Sequence, residues 1–239
     1  GSCYVNEYSP ALITIYLVLT NKYIVNSSGQ KEIVEQAKKD YYPGLRKADT
    51  QHLKHSHNLH LFKRTQQNKA VIEIKKVMYI GFPMVPFYYA WAPGGYAFAQ
   101  LDLELRVIKL LKSKGYYVIY KPHPFTLLET EGVFDKYVDE ILRDSFEEVY
   151  DNADCLMFAD HTTSTFGFSL STKKPIVLMN ISESIWYSKA FELIKKRCSV
   201  VATNIDASGR ALYDDTEVLN AVESSLTNIN YDVLHEIAF

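Results

Sequence analysis

Two short stretches of this chain bring together side chains suited to holding an anion. The first is "YKPHPF", Tyr120–Phe125. Its lysine supplies positive charge, and the histidine two residues on supplies a hydrogen-bond donor that titrates near neutral pH. A proline on each side of His123 stiffens the backbone that carries it. The second stretch is "ADHTTSTFG", where Asp160 and His161 lead into the hydroxyl run Thr162–Thr165. Hydroxyls and free backbone N–H groups at the start of a helix suit a phosphate. A helix cap needs one hydroxyl, and this run offers four in succession. Lys121, His123, Pro124, Thr163, Ser164 and Thr165 are therefore the candidate phosphate-binding residues. The competing reading of His123 is a structural imidazole bonded to a backbone carbonyl; the nearby lysine and the hydroxyl run favour the ligand role.

Both stretches follow short apolar runs, and those runs define the elements that must carry them. From Val71 onward the pattern alternates between strand and helix: "KKVMYIGF", "YYVIY", "DCLMFA", "KPIVLMN" and "CSVVAT" read as strands. Between them "AQLDLELRVIKLLKSKG" reads as an amphipathic helix with Leu101, Leu105, Ile108 and Leu111 at helical spacing and Gly115 as its stop. Segments 133–143 and 146–152 read as helical, "STFGFSLST" as a short helix, and "DTEVLNAVESSL" as a final helix with an acidic first turn. Apolar strands alternating with helices predict a parallel sheet covered on both faces. In such sheets ligands bind beyond the carboxyl ends of the strands. If the two loops are neighbours in the sheet, they form one pocket with Lys121 and His123 on one side and hydroxyls on the other.

Upstream, an apolar element, a short strand and a helix over Gln30–Tyr41 precede Pro43-Gly44 and a polar, histidine-rich stretch. We therefore divide the chain into residues 1–70, a reduced or truncated N-terminal α/β part with linker, and residues 71–239, a Rossmann-like α/β domain. Gly1-Ser2 reads as the remnant of a removed tag. His52, His55, His57 and His60 lack a carboxylate or cysteine to complete a metal set, so no metal site is expected and a solvated linker is the simpler reading. The aromatic stretch "PFYYAWAPGGYAF" offers Trp91 and Tyr96 for stacking on a sugar or base, with interdomain packing as the competing role. The charges of "LIKKRC" read as solvated.

A net charge of −2 over 239 residues gives no global basic field for nucleic acid. No apolar run reaches the roughly 18 residues of a membrane span. Cys155 and Cys198 lie in apolar runs and read as buried free thiols, and three cysteines with no pattern favour a reducing compartment.

A rigid "HP" after a Rossmann strand, followed some 40 residues on by a Ser/Thr cluster at a helix start, resembles the donor-binding half of GT-B glycosyltransferases. The stretch "LELRVIKLLKSKGYYVIYKPHP" is most similar to the enzymes that use cytidine-nucleotide donors: β-Kdo transferases of surface-carbohydrate assembly, bacterial sialyltransferases, and CDP-glycerol or CDP-ribitol phosphotransferases. The resemblance covers about residues 71–230. It implies that His123, Pro124, Ser164 and Thr165 contact the donor phosphate, with Lys121 as a further contact. It implies a CMP- or CDP-activated donor as substrate, no separate cofactor, a glycan acceptor, no nucleic-acid partner, and work in the cytoplasm at the inner membrane face by peripheral association. The sequence departs from the pattern twice. Only about 70 residues precede the donor-like part, and the helix "FGFSLSTKK" carries no carboxylate for the ribose, which leaves Glu183 in "NISES" as the candidate contact. For the catalytic base that an inverting transfer needs near the acceptor hydroxyl, Asp160 and His161 are the candidates. A non-catalytic nucleotide-binding module is the alternative to an enzyme.

Overall fold

Residues Val77–Ile80, Cys155–Phe158 and Ile176–Met179 are apolar at successive positions, and the reason is that both faces of the sheet they form are covered. The computed structural model describes residues 22–25, 28–41, 49–52, 65, 70–82, 96–128, 130–159, 161, 163–181, 188–228 and 230. Near the start, strand β1 (Lys22–Val25), helix α1 (Ser28–Tyr41) and strand β2 (Asp49–His52) form a small unit in which the two strands pair in parallel.

Among the described residues the larger sheet has seven strands. β3 (Lys76–Ile80), β4 (Tyr117–Lys121), β5 (Glu140–Ile141), β6 (Cys155–Phe158), β7 (Ile176–Ile181), β8 (Ser199–Ile205) and β9 (Ala211–Leu212) lie in the order β5-β4-β3-β6-β7-β8-β9. The pairings from β5 to β8 are parallel, and β9 joins β8 antiparallel. Read from the first strand outward, this is the doubly wound Rossmann order, with the chain reversing direction between β3 and β6.

Alternate strand residues serve opposite layers. Val77, Tyr79, Val118, Tyr120 and Met157 pack with Leu103, Val107, Ile108 and Leu111 of α2 (Tyr96–Ser113) and with Val218 and Val222 of α6 (Asp215–Ser224). Met78, Ile80, Ile119, Leu156 and Phe158 pack on the other face. Their partners are Phe146 and Val149 of α3 (Phe146–Val149), Phe166 and Phe168 of α4 (Ser164–Leu170), and Ile194 of α5 (Ser188–Arg197). Cys155 and Cys198 are buried in these layers, and burial pushes both thiols up to about 12, which keeps them protonated and unreactive. α2 ends where Gly115 takes a φ of 85°, a conformation that a side chain disfavours. α6 is opened by Asp214, whose carboxylate accepts from the N–H groups of Thr216 and Glu217.

Three expectations are corrected. Segment 133–143 is not a helix: it runs through turns into the edge strand β5. The backbone N–H of Asp139 donates to the Val118 carbonyl and that of Leu142 to the Tyr120 carbonyl, so pairing the free edge of β4 outweighs the apolar spacing. The buried stripe of α2 is also wider than expected: Leu103, Glu104 and Val107 join Ile108 and Leu111 as fully buried, while Leu101 and Leu105 pack half-buried against the same core. And "LIKKRC" is not simply solvated, because Arg197 is 1% exposed at the end of α5.

Candidate functional site

The strand order reverses between β3 and β6, the place at the carboxyl end of such a sheet where a ligand crevice forms, and β4, β3 and β6 lie side by side there. The register puts Lys121, Ile80 and Phe158 at one level across the three strands. The "KPHP" turn after β4 and the hydroxyl run after β6 are thus not neighbours. β3 lies between them, and two strand spacings separate their strands by about 10 Å. That span exceeds a single phosphate group, so the expected single pocket becomes a crevice with one loop on each flank.

On the β4 flank, Lys121 is 4% exposed, and its ammonium donates to the Pro122 carbonyl at 3.0 Å. Among the described residues it has no carboxylate in ion-pair contact. Burial lowers its pKa, while Glu147 and Asp144 act at longer range to raise it. His123 opens the 3-10 turn Pro124–Thr126, and its Nδ1 accepts from the Phe125 N–H at 3.2 Å. This acceptor role puts the ring proton on Nε2, which is left to donate outward. Burial and then the Lys121 charge lower the pKa of His123, so the ring is neutral at pH 7. The ring thus takes a backbone N–H rather than the backbone carbonyl of the structural reading. Pro124 is exposed at the first position of the turn.

On the β6 flank, Thr163 caps α4, its Oγ1 accepting from the Phe166 N–H at 3.2 Å. That is the single cap the helix needs. Ser164 is exposed and Thr165 half-buried, and neither hydroxyl bonds to another described residue. His161 is 6% exposed, and burial brings its pKa down to about 4. Its ring stays neutral across physiological pH, which suits hydrogen bonding better than strong general-base work. Asp160, Glu183 and Trp91 lie outside the described residues, as do His55, His57 and His60; Tyr96 is the first residue of α2, and its side chain lies outside them too. Among the described residues there is no cluster of metal-ligating side chains, and no helix is long and apolar enough to cross a membrane.

Between the flanks, the segment leaving β3 is tied down by Glu104, a residue that sequence reasoning missed. Its carboxyl is fully buried; Oε1 accepts from the Phe82 N–H and Oε2 from the Tyr120 hydroxyl, both at 2.8 Å. Burial raises its pKa to about 8, against the lowering effect of those two bonds. The signal was present in the sequence: Glu104 stands four and seven residues before Ile108 and Leu111, on the apolar stripe itself.

Gly81 sits against this group. A Cβ there would fall 2.4 Å from the Tyr120 hydroxyl. Tyr120 cannot swing away, because its ring stacks on Phe134 at 4.0 Å and its hydroxyl is bonded to Glu104. Gly81→Ala is expected to destabilise the protein by about 2–3 kcal/mol, read as a lower midpoint in urea unfolding; an unchanged midpoint would refute the close packing.

No family model matches the chain. No curated protein matches it either. Among solved structures, MT0777 is similar at 13% identity and a TM-score of 0.38, over 64% of this chain and 96% of that one. KpsC of Thermosulfurimonas dismutans, a beta Kdo 2,7 transferase, is similar at 18% identity and a TM-score of 0.31, over 71% of this chain. The chain spans 54% of the length of KpsC.

Proposed function

We propose that this chain binds a cytidine-activated donor across the crevice between β4 and β6 and is a GT-B-type glycosyltransferase. In this reading it moves a sugar acid of the Kdo or sialic-acid type from CMP to a bacterial surface glycan. The observation that carries the reading is the set of uncommitted donors at the strand ends. His123 Nε2–H and the hydroxyls of Ser164 and Thr165 flank the chain reversal, with the buried Lys121 ammonium behind the first of them. A nucleoside monophosphate is long enough to reach both flanks, and its phosphate needs such donors.

The chemistry follows from the same groups. As the bond between the sugar and the CMP phosphate breaks, negative charge builds on the departing phosphate. Fixed donors aimed at that oxygen stabilise it more in the transition state than in the ground state. The acceptor hydroxyl supplies the new bond and loses its proton, for which Asp160 is the candidate base, given the low pKa of His161.

Calorimetric titration with CMP tests the reading. His123→Ala is expected to weaken CMP binding about tenfold, the worth of one good hydrogen bond. Wild-type protein that ignores CMP, or a His123→Ala variant that binds as well, would overturn it. Turnover with CMP-Kdo, CMP-sialic acid and CDP-glycerol then separates sugar transfer from polyol-phosphate transfer.

A further inference from the structure

Helix α2 places a carboxyl where packing alone calls for an apolar group. Glu104 is 0% exposed, yet among the described residues no lysine or arginine pairs with it. The ionisable groups around it are Tyr79 on β3, Tyr120 on β4, and, further off, Arg106 of α2 and Tyr213 beyond β9. Arg106 is engaged elsewhere, paired with Asp102 and lying over the Tyr213 ring. A buried carboxyl kept without a counter-charge is costly unless its acceptors are used. Both are used, one by the segment leaving β3 and one by β4.

The bonds form a chain from α2 to the His123 turn. Glu104 takes the Phe82 N–H. The single proton of the Thr126 hydroxyl is shared between the His123 carbonyl at 3.2 Å and, more weakly, the carbonyl of the same Phe82 at 3.5 Å. One step back, the Gly81 N–H donates to the Lys121 carbonyl at 2.9 Å. The first residues after β3 are thus held on one side by Glu104 and on the other by the backbone that carries Lys121 and His123.

We propose that Glu104 is a positioning residue for the crevice: from within the α2 layer it fixes the first residues after β3 and, through Thr126, their fit against the His123 turn. Its effect on ligand affinity rests on the reading that the ligand occupies this crevice. Its effect on the Phe82 amide does not, and that difference separates the two.

The test compares wild type, Glu104→Gln and Glu104→Ala. Gln keeps an acceptor for the Phe82 N–H and a polar partner for Tyr120; Ala removes both. In ligand-free protein, hydrogen exchange at the Phe82 amide is expected to be equally slow in wild type and Glu104→Gln at pH 7 and at least about tenfold faster in Glu104→Ala. CMP affinity should follow the same order, with Glu104→Gln within about threefold of wild type and Glu104→Ala about tenfold weaker. Wild-type affinity should also fall between pH 7 and pH 9 more steeply than that of Glu104→Gln, since a carboxylate forming under the crevice opposes an anionic ligand and Lys121 is common to both. Equal exchange in wild type and Glu104→Ala overturns the proposal. So does equal Phe82 exchange in wild type and Glu104→Leu, which keeps the apolar bulk without an acceptor and decides the matter if Glu104→Ala does not fold. Fast Phe82 exchange in Glu104→Ala with no CMP binding by wild type upholds the positioning role and removes the donor reading alone.

Discussion

Glu104→Gln is expected to make the protein more stable above pH 8 and to leave it near wild type below pH 4.5. The folded carboxyl titrates at about 8, and an exposed carboxyl in the unfolded chain near the ordinary 4.5. Between those values the folded state holds a proton that the unfolded state has released, so rising pH favours unfolding. The penalty is absent below the unfolded value, grows through the window, and is complete above the folded one. Over that interval it amounts to about 5 kcal/mol, an order-of-magnitude figure. Glutamine does not titrate and keeps the same shape and acceptor. Urea unfolding of both proteins at pH 4.5, 7 and 9 measures the difference; groups common to both cancel. Parallel stability curves would mean that Glu104 is ionised in the fold.

The second large effect concerns Arg197. Its Nε donates to the Leu170 carbonyl at 3.2 Å, and its Nη2 to the carbonyls of Thr172 at 2.7 Å, Lys174 at 3.0 Å and Ser169 at 3.5 Å. Those carbonyls close the end of α4 and the turn that enters β7, where the helix dipole favours a cation. Arg197→Met keeps apolar bulk but takes the guanidinium donors from the carbonyls of Leu170, Thr172 and Lys174, while the Ser169 carbonyl keeps the Thr172 N–H and hydroxyl, and is expected to cost about 3–5 kcal/mol in urea unfolding. Arg197→Lys should recover only part, because one ammonium cannot reproduce the spread of a guanidinium fork. A loss below about 1 kcal/mol for the methionine variant would refute this account. Arg197 holds the far end of the helix whose first residues, Ser164 and Thr165, are the proposed donor contacts, so on that proposal the same variant should weaken CMP binding as well.

The strands were legible because a sheet covered on both faces demands nearly unbroken apolar runs, and Val77–Ile80 and Leu156–Phe158 comply. The candidate loops were legible because ligand-bearing segments follow strand ends. The order of strands was not. Nothing local in "KKVMYIGF" states that it will lie between "YYVIY" and "DCLMFA", so the two site loops were expected side by side. Glu104 was hidden for a different reason. A glutamate in a helix is ordinarily assigned to the wet face, and the stripe read through Leu101, Leu105, Ile108 and Leu111 left Glu104 out although it lies between those core-packed residues. Arg197 was read as solvated because basic residues close helices routinely; its burial arises from packing against the end of α4, a contact between segments 25 residues apart or more.

Both outer strands of the large sheet, β5 and β9, are two residues long. Long bare strand edges recruit strands from other chains, and short ones offer almost no template for that. A parallel sheet this apolar would otherwise be prone to add strands from its neighbours during folding at high concentration. Among the described residues the two stub strands act as end-stops of the large sheet, which should not polymerise edge to edge while it remains intact.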